Sequence, residues 1–276
     1  MLPSLTPDLN ECALLLDVDG TLVPIAPTPD SVVFGPELLR LLKALAAATQ
    51  GALCLVSGRD HADLQRLCQH LELSCISCHG AYLHTTQHAE PLWAHVVDTK
   101  AQQYLIDALK YQLTPYPKVA LEIKTQGLAV HYRQAPNQST ALLALIEPLI
   151  REQPTYELHK GKCVFELRPR GVNKANAIAQ LMRLPPFKGR TPIMFGDDTT
   201  DEPAFTWVNQ HQGHSIKVGS PSATTQAQHL LPTSDQVLEV LEGWLNACTA
   251  YAHGPDPNAK GFTHQAHAQL AHYAPD

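Results

Sequence analysis

A run of apolar residues, Cys12-Ala13-Leu14-Leu15-Leu16, stops abruptly at Asp17-Val18-Asp19-Gly20-Thr21-Leu22. It shows no polar alternation, so it reads as a strand buried on both faces, the habit of central strands in parallel sheets. In open α/β sheets ligands bind beyond the carboxyl ends of strands, and Asp17 stands where this run ends. Asp17 and Asp19, two apart in extended chain, project to one side. Two such carboxylates repel each other unless a cation, a proton or a reaction uses them.

Three readings of this stretch compete. An ordinary strand end with turn residues explains Gly20 and Thr21 but not two aspartates behind a fully apolar run. A calcium loop begun at Asp17 needs glycine at its sixth position and glutamate at its twelfth, where this chain has Leu22 and Thr28. The third makes Asp17 a carboxylate nucleophile for a phosphoryl group and Asp19 a general acid and base, with a hard cation between them.

The chain of 276 residues is long enough for one large domain or a core with an insert. A formal charge of −6 and the absence of a long basic run argue against nucleic acid or an anionic membrane as partner, and for a small molecule. No apolar run approaches a membrane span, and the first eleven residues lack the pattern of a signal peptide. The seven cysteines show no paired metal-ligand spacing, and the close pair Cys75 and Cys78 lies in a strand-like segment. Reduced, mostly buried thiols and a monomeric cytoplasmic protein are therefore expected.

Along the chain, strands near 52–56 and 74–77 alternate with helices beginning at Gly35-Pro36-Glu37 and near Asp60. This is the rhythm of a doubly wound parallel sheet, a Rossmann-like α/β core. Between 96 and 170 the rhythm changes to helix (99–113), two alternating strands (119–124 and 127–132), helix (139–152) and two more strands (156–160 and 163–167). That order predicts an inserted α+β cap domain with an antiparallel sheet. From Asn173 the first rhythm resumes, with strands at 192–195 and 215–218 and a closing helix from Ser234. The expected division is thus a discontinuous core (1–95 and 171–250), a cap (96–170) and a weakly ordered tail (251–276). In that tail His264 and His267 lack a carboxylate or cysteine to complete a ligand set and read as solvated residues.

Further strand ends carry polar residues. Ser57-Gly58 follows the second buried strand, where the hydroxyl and the free N–H groups of the next helix would hold a phosphoryl oxygen, or the serine would simply cap that helix. Lys174 opens a helix, an unfavourable end for a cation unless an anion lies nearby or the side chain bends away. Gly196-Asp197-Asp198 ends another strand and would complete, with Asp17 and Asp19, an oxygen-rich site suited to Mg²⁺. Asp201 and Glu202 are also ordinary acids for a helix start.

Asp17-Val18-Asp19-Gly20-Thr21, Ser57, Lys174 and Gly196-Asp197-Asp198 resemble the four signature motifs of the haloacid dehalogenase superfamily of phosphatases. Val56-Ser57-Gly58-Arg59, His79-Gly80 and the run from Gly196 to Glu202 are similar to the trehalose-6-phosphate phosphatase family within it, over about 14–245. The resemblance implies Mg²⁺ held by Asp17, the Asp19 backbone carbonyl and Asp197, with Asp198 and Asp201 orienting metal-bound waters. It also implies that Ser57, Gly58 and Lys174 bind phosphate. Glu122, Lys124 and Glu166 match the family's sugar-recognising positions, and His79 and Gly80 are carried over as substrate contacts. Without the resemblance, the cap charges read as the solvated side of a half-buried sheet. His131-Tyr132-Arg133 matches the family without an assigned role. Ala175 departs from the family's usual glycine after the lysine, a benign change in a helix. The implied reaction is hydrolysis of trehalose 6-phosphate, a small sugar phosphate; a phosphatase for another sugar phosphate such as sucrose phosphate, and a non-catalytic sensor on the same fold, are the competing readings.

Overall fold

Five consecutive buried residues form strand β1 (Cys12–Leu16), and its side chains divide between two apolar layers. Leu14 and Leu16 pack into one layer and Ala13 and Leu15 into the other, as the two-residue period of a strand requires. The structure is a computed structural model that describes residues 5–252 apart from 27, 89, 162 and 221–223. His264 and His267 of the expected tail lie outside the described residues.

After β1 come α1 (Pro36–Ala48), β2 (Leu53–Val56), α2 (His61–Cys68) and β3 (Ser74–Ser77). Two short strands, β4 (Tyr82–His84) and β5 (Trp93–Ala94), then extend the sheet antiparallel. The next part of the chain runs α3 (Thr99–Gln112), β6 (Ala120–Lys124), β7 (Gly127–His131), α4 (Ser139–Glu152), β8 (Tyr156–Gly161) and β9 (Val164–Pro169). The chain then returns with α5 (Lys174–Leu181), β10 (Thr191–Gly196), α6 (Glu202–Gln210), β11 (His214–Val218), β12 (His229–Leu231) and α7 (Ser234–Ala252).

The large sheet has the order β12-β11-β10-β1-β2-β3-β4-β5 and is parallel from β12 to β3. Helices α1, α2 and α7 cover one face and α5 and α6 the other. The chain leaves β1 toward β2 on one side and later returns to β10 on the other, so a crevice opens where the strand order reverses. Asp17 and Asp197 stand beyond the carboxyl ends of these two adjacent strands. The α/β reading of the core is borne out, but β4, β5 and β12 were not anticipated; each has two or three residues, too few for periodicity to register. Cys78 lies in a 3-10 turn (Cys78–Gly80) rather than in a strand. No helix among the described residues is long and apolar enough to cross a membrane.

The second sheet, β6-β7-β9-β8, is wholly antiparallel. Leu128, Val130, Phe165 and Leu167 pack beneath α3 and α4, so the alternate residues of the same strands face away from those helices. The register sets Glu122, Ala129, Glu166 and His159 in one row across that outer face. Gly127 and Ala129 of β7 are small, which leaves a floor between the charged side chains of β6 and β9.

Candidate active site

The strand ends of the large sheet and the outer face of the small one enclose a cleft of about 2150 Å³. Asp17 sits in its floor, 5 % exposed, because β1 delivers it directly from the buried run. One oxygen of its carboxylate accepts a hydrogen bond from Lys174 Nζ at 2.7 Å, and the other accepts one from the Thr21 hydroxyl at 2.9 Å. Lys174 also donates to Asp201 Oδ1 at 2.6 Å, so the cation that looked misplaced at the start of α5 is buried between two carboxylates. The second oxygen of Asp201 accepts from the backbone N–H groups of Asp197 and Asp198, each at 3.1 Å. These contacts make Asp201 a brace for the strand-end turn as well as a partner of the lysine.

Burial pushes the Asp17 carboxyl up to about 7 against the pull of Lys174, with repulsion from Asp201 adding to the rise. Burial likewise pushes Asp197 up to about 8, and repulsion from Asp17, Asp201 and Asp198 adds to it. Carboxylate oxygens of Asp17, Asp197 and Asp201 lie within 4.8 Å of one another. Such crowding disfavours ionisation unless a cation is shared, and hard oxygen donors match a hard divalent ion. Gly20 makes room for the arrangement: a Cβ there would come within 2.1 Å of Asp197 Oδ2, and its φ of +84° is one that side chains rarely adopt. The donor set thus fits a divalent metal.

A pH dependence follows. Asp17 and Asp197 have raised values in the folded chain, so without a cation they favour the folded state in acid and weaken it as pH rises from about 4 toward about 8. A metal competes with the same protons. Added Mg²⁺ is expected to raise the melting temperature more at about pH 8 than at about pH 5, as read by thermal scans with and without the ion. Equal shifts would show that the ion binds elsewhere.

Asp19 is placed differently from Asp17. Both of its oxygens are held by Arg59, from Nε and from a terminal nitrogen, at 2.7 Å each. Arg59 is in turn bound to Asp63, which also accepts from Arg66. Arg59 escaped the sequence reading as a site residue; its position directly after Ser57-Gly58 was the available signal. Ser57 is buried, and its hydroxyl accepts from the Arg59 backbone N–H at 3.1 Å. Helix α2 is capped at Asp60, so Ser57 holds the loop before the helix rather than capping it, and its side chain lines the cleft beside Asp17 and Lys174. Asp198 also lines the cleft, on the turn that Asp201 braces. Lys217, near the end of β11, is buried and donates to the Asp197 carbonyl at 2.5 Å. A lysine in the short, mixed strand β11 was its only signature.

His79 and Gly80 join the two sheets. Cys78, His79 and Gly80 have successive φ values of +50°, +56° and +108°, a costly backbone for the first two. The turn lays the imidazole against Gly58, where a Cβ would meet it at 2.3 Å, and brings Gly80 against the Asn173 carbonyl at the start of α5. From there His79 Nε2 faces Glu166 Oε2 at 3.5 Å. Glu166 also accepts from Lys124 Nζ at 2.8 Å and lies 3.2 Å from Arg168. Burial alone would raise the Glu166 carboxyl, but its contacts with His79, Lys124 and Arg168 hold it well below the usual range. Glu122, on the same face, is bound to His131 at 2.7 Å, and that hydrogen bond lowers its carboxyl. Alternation placed Arg168 on this face, yet its burial against Glu166 is tertiary information.

The site residues singled out in the sequence therefore border one cleft, except Gly80 and Asp201, which support it from behind. Residues 15–235 match the family model described as Trehalose-phosphatase. The chain is 39 % identical over 238 residues to the trehalose-6-phosphate phosphatase of Escherichia coli (strain K12), covering 86 % of this chain and 88 % of that protein. It is 36 % identical over 247 residues to a probable trehalose-phosphate phosphatase of Sinorhizobium fredii, covering 87 % and 90 % of the two chains. The C-terminal domain of the C. albicans trehalose-6-phosphate phosphatase superposes with a TM-score of 0.76 at 25 % identity, covering 86 % of this chain and 92 % of that one. With a carboxylate-lined cleft at the switch point of a parallel sheet, and these likenesses over most of its length, the chain belongs to the trehalose-phosphatase family of phosphatases.

Proposed function

We propose that this phosphatase hydrolyses trehalose 6-phosphate to trehalose and phosphate through an aspartyl-phosphate on Asp17. The observation that carries the reading is the buried Asp17 carboxylate, held between Lys174 and Thr21 at the bottom of a cleft whose opposite wall is a face of paired charges. An Asp17 oxygen attacks phosphorus, the bond from phosphorus to the sugar oxygen breaks, and Asp19 gives that oxygen a proton. Water then attacks the phosphorylated Asp17 while Asp19 takes a proton from it, releasing phosphate and restoring both carboxyl groups. Asp19 performs these transfers after leaving Arg59, which holds it in this structure.

Asp17, Asp197 and the Asp19 carbonyl would hold Mg²⁺, whose charge offsets that of the phosphoryl oxygens. Asp198 and Asp201 would orient the waters of that ion, and Asp201 also holds Lys174. Ser57, the backbone at Gly58 and Lys174 donate to the phosphoryl oxygens. Residues 96–170 act as a cap on a core made of 1–95 and 171–250, and its closure excludes bulk water. Glu122, Lys124 and Glu166 offer acceptors and donors to sugar hydroxyls, with His79 and Gly80 forming the adjoining wall. All seven cysteines are unpaired, in keeping with a reducing cytoplasm.

Phosphate release from trehalose 6-phosphate, sucrose phosphate and glucose 6-phosphate, each with Mg²⁺ and with a chelator, tests the reading. Metal-dependent preference for the first is expected; preference for another sugar would discard the assignment of the cap face, and no release at all would favour a sensor. Glu166→Ala is expected to lower kcat/KM for trehalose 6-phosphate about 10- to 100-fold and leave p-nitrophenyl phosphate within about threefold of the parent, because an aryl ester makes no sugar contacts. Equal losses on both substrates would remove Glu166 from sugar recognition.

A further inference from the structure

Where the two sheets meet, a small cavity of about 20 Å³ is lined among others by His79, Gln126, Glu166 and Arg168. Gln126 is at the tip of the β6–β7 hairpin, 4 % exposed, and its Nε2 donates to the Tyr82 hydroxyl and to the His95 carbonyl. A carbonyl only accepts, so the amide nitrogen must face His95 and the amide oxygen must point elsewhere. Among the described residues, that oxygen, the Nδ1 of His79 and the Nε of Arg168 are all buried without a hydrogen-bond partner. Three residues with such atoms around one small cavity are a concentrated cost, of the kind that native proteins relieve with an ordered molecule.

The chemistry of the three atoms specifies their ligand. Arg168 Nε–H is a donor, whereas His79 Nδ1 and Gln126 Oε1 are acceptors when the imidazole is neutral; burial lowers His79 to about 4, so it is neutral near pH 7. The ligand must accept once and donate twice. A metal cation is refused by the guanidinium, and an anion by the two acceptor lone pairs. A volume of about 20 Å³ is the size that one water occupies.

We propose that a single structural water, bound by His79 Nδ1, Gln126 Oε1 and Arg168 Nε, joins the two sheets and sets the tautomer of His79. With Nδ1 accepting from this water, the ring proton resides on Nε2, where it is directed at Glu166 Oε2. His79 thereby acts as a positioning residue: it carries the placement of the core turn and the hairpin tip to the carboxylate on the cap face. The effect on turnover rests on the trehalose phosphate reading, whereas the water site itself does not.

The test is a crystal structure of the full chain at a resolution that shows ordered waters, together with kinetics of Gln126→Met, which keeps the side-chain length and removes the acceptor. One water within roughly 2.7–3.2 Å of all three atoms is expected. A direct bond between Arg168 Nε and Gln126 Oε1, a flipped imidazole with Nδ1 on Glu166, or a cavity without density would overturn the site. For Gln126→Met, KM for trehalose 6-phosphate is expected to rise about three- to tenfold with p-nitrophenyl phosphate turnover unchanged. An unchanged KM in a variant whose crystal structure lacks the water would overturn the positioning role. A parent protein that shows the water but does not hydrolyse trehalose 6-phosphate would refute the substrate reading alone.

Discussion

Replacing Asp17 by asparagine is expected to abolish phosphate release, by roughly 10⁴-fold or more, while leaving the fold intact. The amide retains an oxygen for Lys174 or Thr21 but cannot serve as an ionised nucleophile. Asp17 is crowded by Asp197 and Asp201, so removing its charge also relieves repulsion, and the melting temperature should be equal to or above that of the parent. Single-turnover assays with a substrate labelled in its phosphate give the sharper measurement: the parent should carry label on the protein at early times and the variant none. Turnover within about tenfold of the parent would remove Asp17 from the chemistry.

Lys174→Met combines a large loss of activity with a large loss of stability. The ammonium is buried between Asp17 and Asp201, and both oxygens it serves would be left facing an apolar chain. Stranding buried carboxylates costs about 3–5 kcal/mol, and kcat is expected to fall roughly 10²- to 10³-fold with the lost donor. The stability loss should shrink in acid. Asp17 is already raised to about 7 with the lysine present, and without that cation it takes up a proton still more readily, so the penalty is greatest above about pH 7. Denaturant unfolding of parent and variant at about pH 5 and about pH 8 measures this; a loss independent of pH would mean that packing rather than charge dominates.

Legibility in the sequence differed by element. Helix α4 was expected at 139–152, and the structure has it at Ser139–Glu152, because its apolar positions recur at helical spacing over fourteen residues. Strand β1 was equally plain, since an unbroken apolar run has few alternatives. The charged face of the small sheet was visible as alternation in β6 and β9, although alternation cannot distinguish a solvated face from one that lines a cleft. Arg59 and Lys217 show the opposite limit: each is one cation in an otherwise unremarked context, and its meaning depends on Asp19 and Asp197 being adjacent in space.

By itself the sequence determined the local facts: which segments bury, where strands end, and that carboxylates, a serine and a lysine stand at those ends. Periodicity and helix-start chemistry are short-range properties, and they are written in neighbouring residues. Tertiary structure alone decided how those groups are shared. Lys174 reaches Asp17 across 157 positions and also holds Asp201, Asp19 is turned onto Arg59 forty positions away, and Glu166 is gripped by Lys124 and Arg168 and faced by His79 from the other sheet. The physical reason is that pairing among several buried charges is settled by which strands lie side by side, here β10 against β1 at the reversal of strand order, and no spacing along the chain encodes that neighbour relation.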